Sequence, residues 1–384
     1  MRIAHLCLSC FYIDSFSYQE NILPRYHKNA GHEVIIIAST ETYLPNGKLG
    51  YTAPGEYINE DGIRVVRVKY RGILPFSIIK KLRIHPGIYR LLQSFSPDII
   101  LFHGLCGWEI LTAARYKKNH QPVRLYADSH EDVNNSAKTP VSRYILHGIY
   151  YKQILKHALT QIDKVLYVSL ETRGFISDVY GISESKMAFF PLGGVVYSDE
   201  QYYQKRDAVR SHLKITDNEL LILQAGKFNK RKKVLESMAS FSSVKDEKLR
   251  LVLIGSVSEE IENTFFQFLN RDKRIMYLGW KESSELLDYL CAADVYLQPG
   301  SQSALLQNAI CLRCPVIIDN VLSHQPYVKG NGWLLNDANT LSHVLSEISR
   351  HPRCLIDMSK NSLKIANSLL DYKILAQKII DGHF

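Results

Sequence analysis

Short apolar runs, most of them rich in β-branched residues, alternate along the chain with longer stretches whose apolar positions recur every three or four residues. Residues 2–8, 33–38, 64–69, 98–103, 123–128, 164–168 and 187–190 predict strands. Most lack any polar alternation, the pattern of strands buried on both faces of a parallel sheet. Residues 19–30, 108–119 and 142–159 predict amphipathic helices between them, the first stopped by Gly31. The alternation then restarts. Strands are expected at 220–225, 249–254, 274–278, 295–297 and 315–318, with helices at 233–242, 258–270, 283–292 and 303–312. The changeover is a polar stretch, 193–217, and a last helix is expected at about 372–381. Repeated strand–helix–strand units predict an α/β fold of two Rossmann-like domains facing across a cleft. Their expected bounds are 1–196 and 197–365, with 366–384 as a C-terminal helix packing back on the first domain. Ligands of such sheets bind at the carboxyl ends of the strands.

Composition narrows the class without choosing a function. The 384 residues are 46% hydrophobic and 22% charged, which excludes disordered, collagenous and coiled-coil chains. The longest uncharged stretch, 295–312, contains Pro299, Gly300 and several amides and does not read as a membrane span. The apolar stretch after Arg2 is too short for a secretory leader, so a cytoplasmic protein is expected. Seven scattered cysteines do not form a disulfide framework. Zinc would require the Cys7/Cys10 and Cys311/Cys314 pairs to converge, yet both lie in apolar patterns, and no metal is expected.

The charge of +9 is unevenly spread. Residues 1–196 hold 23 Lys and Arg against 16 Asp and Glu, a net of +7, and the remainder holds 24 against 22, a net of +2. No acidic residue occurs in 62–97, where eight Lys and Arg fall. Such asymmetry points to anionic partners, and charge alone does not say which.

Two segments carry candidate chemistry in the second half. At 223–236 a buried strand is expected to end at Gly226, followed by a loop holding Lys227, Lys230, Arg231, Lys232 and Lys233 and then a helix. Cations at a strand's carboxyl end beside a helix N-terminus suit a diphosphate, the alternative being a solvated basic loop. At 296–310 a strand enters a Pro-Gly turn, after which Ser301 or Ser303 is placed to cap a helix. Gln307 and Asn308 lie one turn on.

Together these features resemble the GT-B glycosyltransferases, most closely the family 4 retaining enzymes of bacterial surface-polysaccharide assembly. The resemblance rests on the two Rossmann-like halves, the Gly226-Lys227-x4-Lys232 loop and the Pro299-x-helix-Pro315-Val316-Ile317 segment. It implies that Lys227 and Lys232 hold the donor diphosphate, with Gly226 and Arg231 in the same loop. The family's two glutamates lie eight positions apart; here Asn308 stands where the second is expected, and the first falls in 299–303, a segment shortened by a few residues that has Gln302 instead. Neutral amides still hydrogen-bond sugar hydroxyls, though less strongly than carboxylates. Ser303 and Trp280, which follows Gly279, complete the expected donor site, Trp280 flanking the base or packing.

In the first half, Ala127-Asp-Ser-His-Glu-Asp132 follows a strand, and His130 resembles the family residue that reaches the donor sugar or leaving phosphate. The loop after the first strand lacks G-x-G-x-x-G, which removes the dehydrogenase reading. Its Phe11, Tyr12, Phe16 and Tyr18, with Glu20 behind, suit an acceptor sugar or close the sheet edge, and His103 is a further acceptor candidate.

The expectation is thus a retaining, metal-independent hexosyltransferase using a nucleotide sugar, UDP slightly favoured, as substrate rather than cofactor. The acceptor would be a lipid-linked saccharide or a saccharide of O-antigen or capsule. The alternative is a non-catalytic relative that binds a nucleotide sugar or a partner glycosyltransferase. Residues 73–84 mix apolar and basic side chains as interfacial segments do, so 62–97 is expected to rest on an anionic membrane surface at the inner face of the plasma membrane. No nucleic-acid-binding pattern is present.

Overall fold

The computed structural model describes every residue except Pro45, Asn46, Ile73, Leu74, Asn134, Ser301 and Gln302. The chain forms two compact units, Met1–Pro191 with Leu375–Phe384, and Leu192–Ile374. No helix among the described residues is long and apolar enough to cross a membrane.

The first unit contains β1 (Arg2–Cys7), β2 (Glu33–Ser39), β3 (Glu41–Tyr43), β4 (Leu49–Tyr51), β5 (Gly55–Ile58), β6 (Arg64–Val68), β7 (Ile99–His103), β8 (Arg124–Ser129), β9 (Lys164–Tyr167) and β10 (Met187–Phe189). Eight form one sheet in the order β10-β9-β8-β7-β1-β2-β6-β5, while β3 and β4 pair separately. Only the edge strand β5 runs antiparallel to its neighbour in that sheet. The central strands are fully buried: Ile3, Ala4, Leu6 and Cys7 of β1 and Ile99 to Phe102 of β7 expose nothing. Each large aliphatic among them stabilises the fold by roughly 1.5–3 kcal/mol. The strand order reverses direction between β1 and β7, which places the loops after these two strands side by side. Ser9 Oγ donates to the carbonyl of Cys106 there. A Cβ on Gly104 would lie 2.8 Å from Ser9 Cβ, so glycine permits the approach.

The second unit contains β11 (Leu220–Phe228), β12 (Leu249–Val257), β13 (Ile275–Tyr277), β14 (Val295–Gln298), β15 (Val316–Asp319) and β16 (Gly332–Leu335). They pair in parallel in the order β13-β12-β11-β14-β15-β16. The direction of winding reverses between β11 and β14, and ligands of such sheets bind at that switch point.

Several boundaries depart from the sequence expectations. β11 does not end at Gly226 but runs on through Lys227 to Phe228, because the buried Phe228 extends the apolar face by one more turn of the pleat. The polar stretch 193–217 holds a helix, Asp199–His212, started by a capping box of Ser198 and Gln201. The expected helix at 142–159 is a wide π-type segment, Val141–Tyr151, continued by an α-helix, Lys152–Ala158. The final helix, Tyr372–Asp381, ends in the first unit: Arg124 Nη1 donates to the carbonyl of Ile380 at 2.5 Å, and Phe384 packs on Tyr126 and Phe190.

Candidate functional site

In the second unit Gly226, Lys227, Arg231 and Lys232 lie at the end of β11 and in the turn after it, beside the switch point. Gly226 and Gly255 are paired across β11 and β12, with φ of +140° and +149°. A Cβ on Gly255 would fall 1.7 Å from the carbonyl oxygen of Gly226, so the two strand ends pack backbone to backbone. After β11, a single turn at Lys230–Lys232 leads to Lys233 (φ +47°) and the helix Val234–Ser243. Gln224 Nε2 donates to the carbonyl of Lys232 at 3.0 Å, which ties the turn back onto the strand. The Lys232 side chain lies across Gly226, its Cε 3.7 Å from where a Cβ would stand. Burial holds the Lys232 ammonium below the usual lysine range.

The five cations of this segment do different work. Lys233 Nζ binds Asp319 at 2.6 Å and Lys230 Nζ lies 3.7 Å from Glu260, so both charges are offset locally. Lys227 and Arg231 are exposed, and Lys232 is half-buried beside them. An anion at this turn would gain charge-assisted hydrogen bonds from exposed Lys227 and Arg231 and would favour the Lys232 ammonium against its burial.

The loop after β14 meets this turn. Gly300 (φ +86°) sits against the Arg231 carbonyl, where a Cβ would come within 2.0 Å. Ser301 and Gln302, the latter a candidate for sugar contact, lie outside the described residues. Ser303 Oγ accepts from Leu305 N at 3.3 Å, so its hydroxyl is used at the start of the helix Leu305–Cys311. Asn308 Oδ1 accepts from Val195 N at 3.2 Å, fixing the 194–195 segment to this helix. Gly279 accepts from Gly255 N at 2.8 Å, and Trp280 beyond it is 58% exposed at the same sheet end.

In the first unit, His130 follows β8. Its Nε2 is buried and has no hydrogen-bond partner among the described residues, with Asp128 at 3.8 Å and Glu20 at 4.0 Å. This nitrogen therefore lies between two carboxylates with no protein group hydrogen-bonded to it among the described residues. Asp128, Glu131 and Asp132 form no metal cluster: among the described residues no grouping of three or more His, Cys, Asp or Glu is placed to hold an ion. Tyr18 precedes the helix Gln19–Asn29 and is exposed, as are Phe11 and Phe16, whereas Tyr12 is core and its hydroxyl accepts from Asn59.

His103 does not face a ligand, and direct acceptor contact is corrected accordingly. It is fully buried, its Nδ1 2.6 Å from Asp128 Oδ2 and its Nε2 3.0 Å from His5 Nδ1. His5 Nε2 is 3.0 Å from His27 Nδ1, and His27 Nε2 is 3.1 Å from the carbonyl of Ala376. That carbonyl can only accept, so His27 donates from Nε2, and because burial keeps His27 and His5 neutral the rest of the chain is ordered with it. His27 donates from Nε2 and accepts at Nδ1; His5 donates from Nε2 and accepts at Nδ1. His103 then donates from Nε2 to His5 and from Nδ1 to Asp128, which makes it an imidazolium. The electrostatics agree. Burial keeps His5 well below its usual value and brings His27 down to about 4. Burial opposes the charge on His103 too, but the charge and hydrogen bond of Asp128, together with Cys7 and Glu20, outweigh it and push the imidazole up to about 10. Asp128 is held below the usual carboxylate range by the same pairing, against its burial, and its Oδ1 accepts from Gly104 N at 2.9 Å.

Two family models match the chain. The model described as Glycosyltransferase Family 4 covers residues 22–193, and that described as Glycosyl transferases group 1 covers residues 205–348. No curated protein matches. Among solved structures, sucrose-phosphate synthase from Thermosynechococcus elongatus is 16% identical with a TM-score of 0.66, over 100% of this chain and 98% of that one. Anabaena HepE in complex with UDP is 13% identical with a TM-score of 0.64, over 100% and 99%. WaaG, a glycosyltransferase involved in lipopolysaccharide biosynthesis, is 14% identical with a TM-score of 0.58, over 99% and 98%. These likenesses establish the fold.

Proposed function

The chain belongs to the GT-B glycosyltransferases of the family 4 type, and from that premise we propose that it moves a hexose from a nucleotide-diphosphate donor to a lipid-linked or saccharide acceptor in surface-polysaccharide assembly. The observation that carries this reading is the packing of the Lys230–Lys232 turn and the Gly300 loop at the switch point of the second sheet. It gathers Lys227, Arg231 and Lys232 where a departing diphosphate needs compensation. UDP is the favoured nucleotide, in keeping with the UDP bound by HepE.

Transfer proceeds with retention and without a metal. The acceptor hydroxyl attacks the anomeric carbon on the face the diphosphate leaves. The C–O bond to the diphosphate breaks, the new glycosidic bond forms, and the leaving phosphate oxygen takes the hydroxyl proton. Lys227, Arg231 and Lys232 hold the charge that develops, and His130 donates a hydrogen bond to the donor sugar or leaving phosphate. Attachment to an anionic membrane fits the basic stretch 62–97, whose short helix Phe76–Leu82 exposes Phe76 and Ile78 beside Lys80 and Lys81.

The test is a donor screen by thermal shift with UDP-, GDP- and dTDP-sugars, followed by transfer of radiolabelled sugar. One nucleotide should stabilise the protein and support turnover. Lys232→Ala should lose both, and full turnover by that variant would sink the assignment.

A further inference from the structure

The first unit contains a cavity of about 300 Å³ that the donor chemistry does not use. It opens beside the carboxyl ends of β7 and β8, where Cys106 and Glu131 follow those strands, and its lining includes Lys80, Lys81, Arg83, Ser136 and His147. Ligand pockets run from roughly 300 to 1,000 Å³, so this one fits a single charged unit rather than an oligosaccharide.

Its charge is positive once the acids are accounted for. Glu131 is already engaged: Oε1 accepts from Cys106 Sγ at 2.5 Å, and Oε2 from Tyr180 and Ser129 hydroxyls at 3.2 Å each. Burial raises its carboxyl above the usual range. Glu41 accepts from Ser39 Oγ at 3.3 Å and is the one other carboxylate of the lining. Against these stand Lys80 and Lys81 at the exposed mouth and Arg83 deeper in. Arg83 Nη1 is buried with no hydrogen-bond partner among the described residues. A buried guanidinium N–H without an acceptor is costly, and an anionic oxygen beside it would satisfy it. Arg83 also sits at φ +52°, a backbone conformation that an arginine rarely adopts, at the end of the helix Phe76–Leu82. The fold therefore accepts strain to point this side chain where it points.

The far wall is the π-type helix Val141–Tyr151. Leu146, His147 and Tyr151 line the cavity, while Val141, Tyr144, Ile145 and Ile149 are more than half exposed on its other side. One helix thus presents a polar wall to a cationic cavity and an apolar stripe to the exterior.

We propose that this cavity is an oxyanion subsite for the acceptor, in which Arg83, assisted by Lys80 and Lys81, holds the phosphate of a phosphorylated sugar. The assignment rests on the glycosyltransferase reading for the word acceptor, but its test needs no turnover. Either a soluble sugar phosphate or a sugar phosphate on a lipid supplies this chemistry.

Equilibrium binding to the full chain should be measured by calorimetry with glucose 1-phosphate, glucose 6-phosphate and glucose, and by sedimentation with polyprenyl-phosphate glucose in neutral vesicles. At least one phosphorylated probe should bind where glucose does not. Its affinity should fall tenfold or more in Arg83→Gln, less in Arg83→Lys, and measurably in a Lys80→Gln/Lys81→Gln pair. It should be unchanged in Lys232→Ala, whose defect is confined to UDP. Binding of UDP by each Arg83 variant reports that the chain is folded and tests the donor reading separately. Preference for the vesicle-borne probe assigns a lipid-linked acceptor, and preference for a free hexose phosphate assigns a soluble one. The proposal is overturned if no phosphorylated probe binds better than glucose, or if affinity survives Arg83→Gln intact.

Discussion

Replacing Asp128 by Asn tests whether the buried histidine chain carries the charge its geometry demands. In the native protein the Asp128 carboxylate faces the Nδ1–H of His103 and accepts from Gly104. An asparagine fits the same space: its Oδ1 keeps the Gly104 bond, and its Nδ2 donates to His103 Nδ1. His103 then becomes an acceptor at that nitrogen and loses its charge, while its donation to His5 and the order of His5 and His27 are untouched. Every hydrogen bond of the chain survives, so the substitution removes a charge pair and little else.

The consequence is a change in how stability depends on pH. A folded value of about 10 for His103 lies far above the unfolded value of about 6.5. The native state therefore holds the proton more tightly. The associated stability is fully present below pH 6.5 and is lost as pH rises through 10. It amounts to roughly 4 kcal/mol at pH 7 and about 1 kcal/mol at pH 9.5, a loss on the order of 3 kcal/mol across that interval. Tyrosines and lysines titrate in both proteins, so the difference between wild type and Asp128→Asn isolates the pair. The assay is urea unfolding at pH 7 and 9.5 in a background with Trp280 and Trp333 changed to Phe, leaving Trp108 to report on the first unit. Wild type should lose about 3 kcal/mol more than the variant. Parallel pH profiles would refute the imidazolium and with it the proton order derived from the Ala376 carbonyl.

Acid should act on His27 in the opposite sense. Its value of about 4 lies below the unfolded one, so its contribution is present above about pH 6.5 and is lost as pH falls through 4, and His27→Gln should flatten acid unfolding in that range. Lys232→Ala should weaken UDP binding roughly 10- to 100-fold, the worth of one charge-assisted hydrogen bond, whereas Lys233→Ala should weaken it less because that ammonium is held by Asp319; titration calorimetry distinguishes the two. Gly255→Ala, which sets a Cβ 1.7 Å from the Gly226 carbonyl at a φ of +149°, should cost about 1–3 kcal/mol, read as a lowered Tm, and should weaken UDP binding with it. Phe76→Glu/Ile78→Glu should abolish binding to phosphatidylglycerol vesicles while leaving UDP affinity unchanged, since both side chains are exposed beside Lys80 and Lys81 in the first unit; retained sedimentation would place the membrane contact elsewhere.

How far the sequence could be read follows from what each position needs. Strands buried on both faces announce themselves as unbroken apolar runs, and β1, β2, β7 and β8 were legible to within a residue or two. The cationic turn was legible because its composition is extreme. Its architecture was not, since Gly226 read as a turn when it is a strand residue paired to Gly255. Glycines that let backbones touch look like glycines that let chains turn. The helix Asp199–His212 was missed because its surface is polar nearly all round, although the Ser198-x-x-Gln201 signal that starts it was present. Arg83 was counted with the diffuse basic face, because nothing in a sequence marks a positive φ at a non-glycine residue.

The histidines make the sharper case. His5 interrupts the apolar run of β1 and His103 closes that of β7, positions where a polar side chain must find a partner. Each taken singly reads as a ligand or a satisfied core residue, and the choice is open. Strand pairing decides it, because β1 and β7 are neighbours with His5 opposite Leu101 and His103 two residues further along the same edge. Asp128 ends up beside His103 because β8 pairs with β7 in that register. One anion set into the sheet then requires one cation; burial holds His5 and His27 neutral, and the histidine beside the carboxylate takes the charge. His103 alone remains. The residue that looked like an acceptor contact is thus the counter-ion that keeps Asp128 charged beneath His130, and its effect on a ligand is exerted through those two side chains.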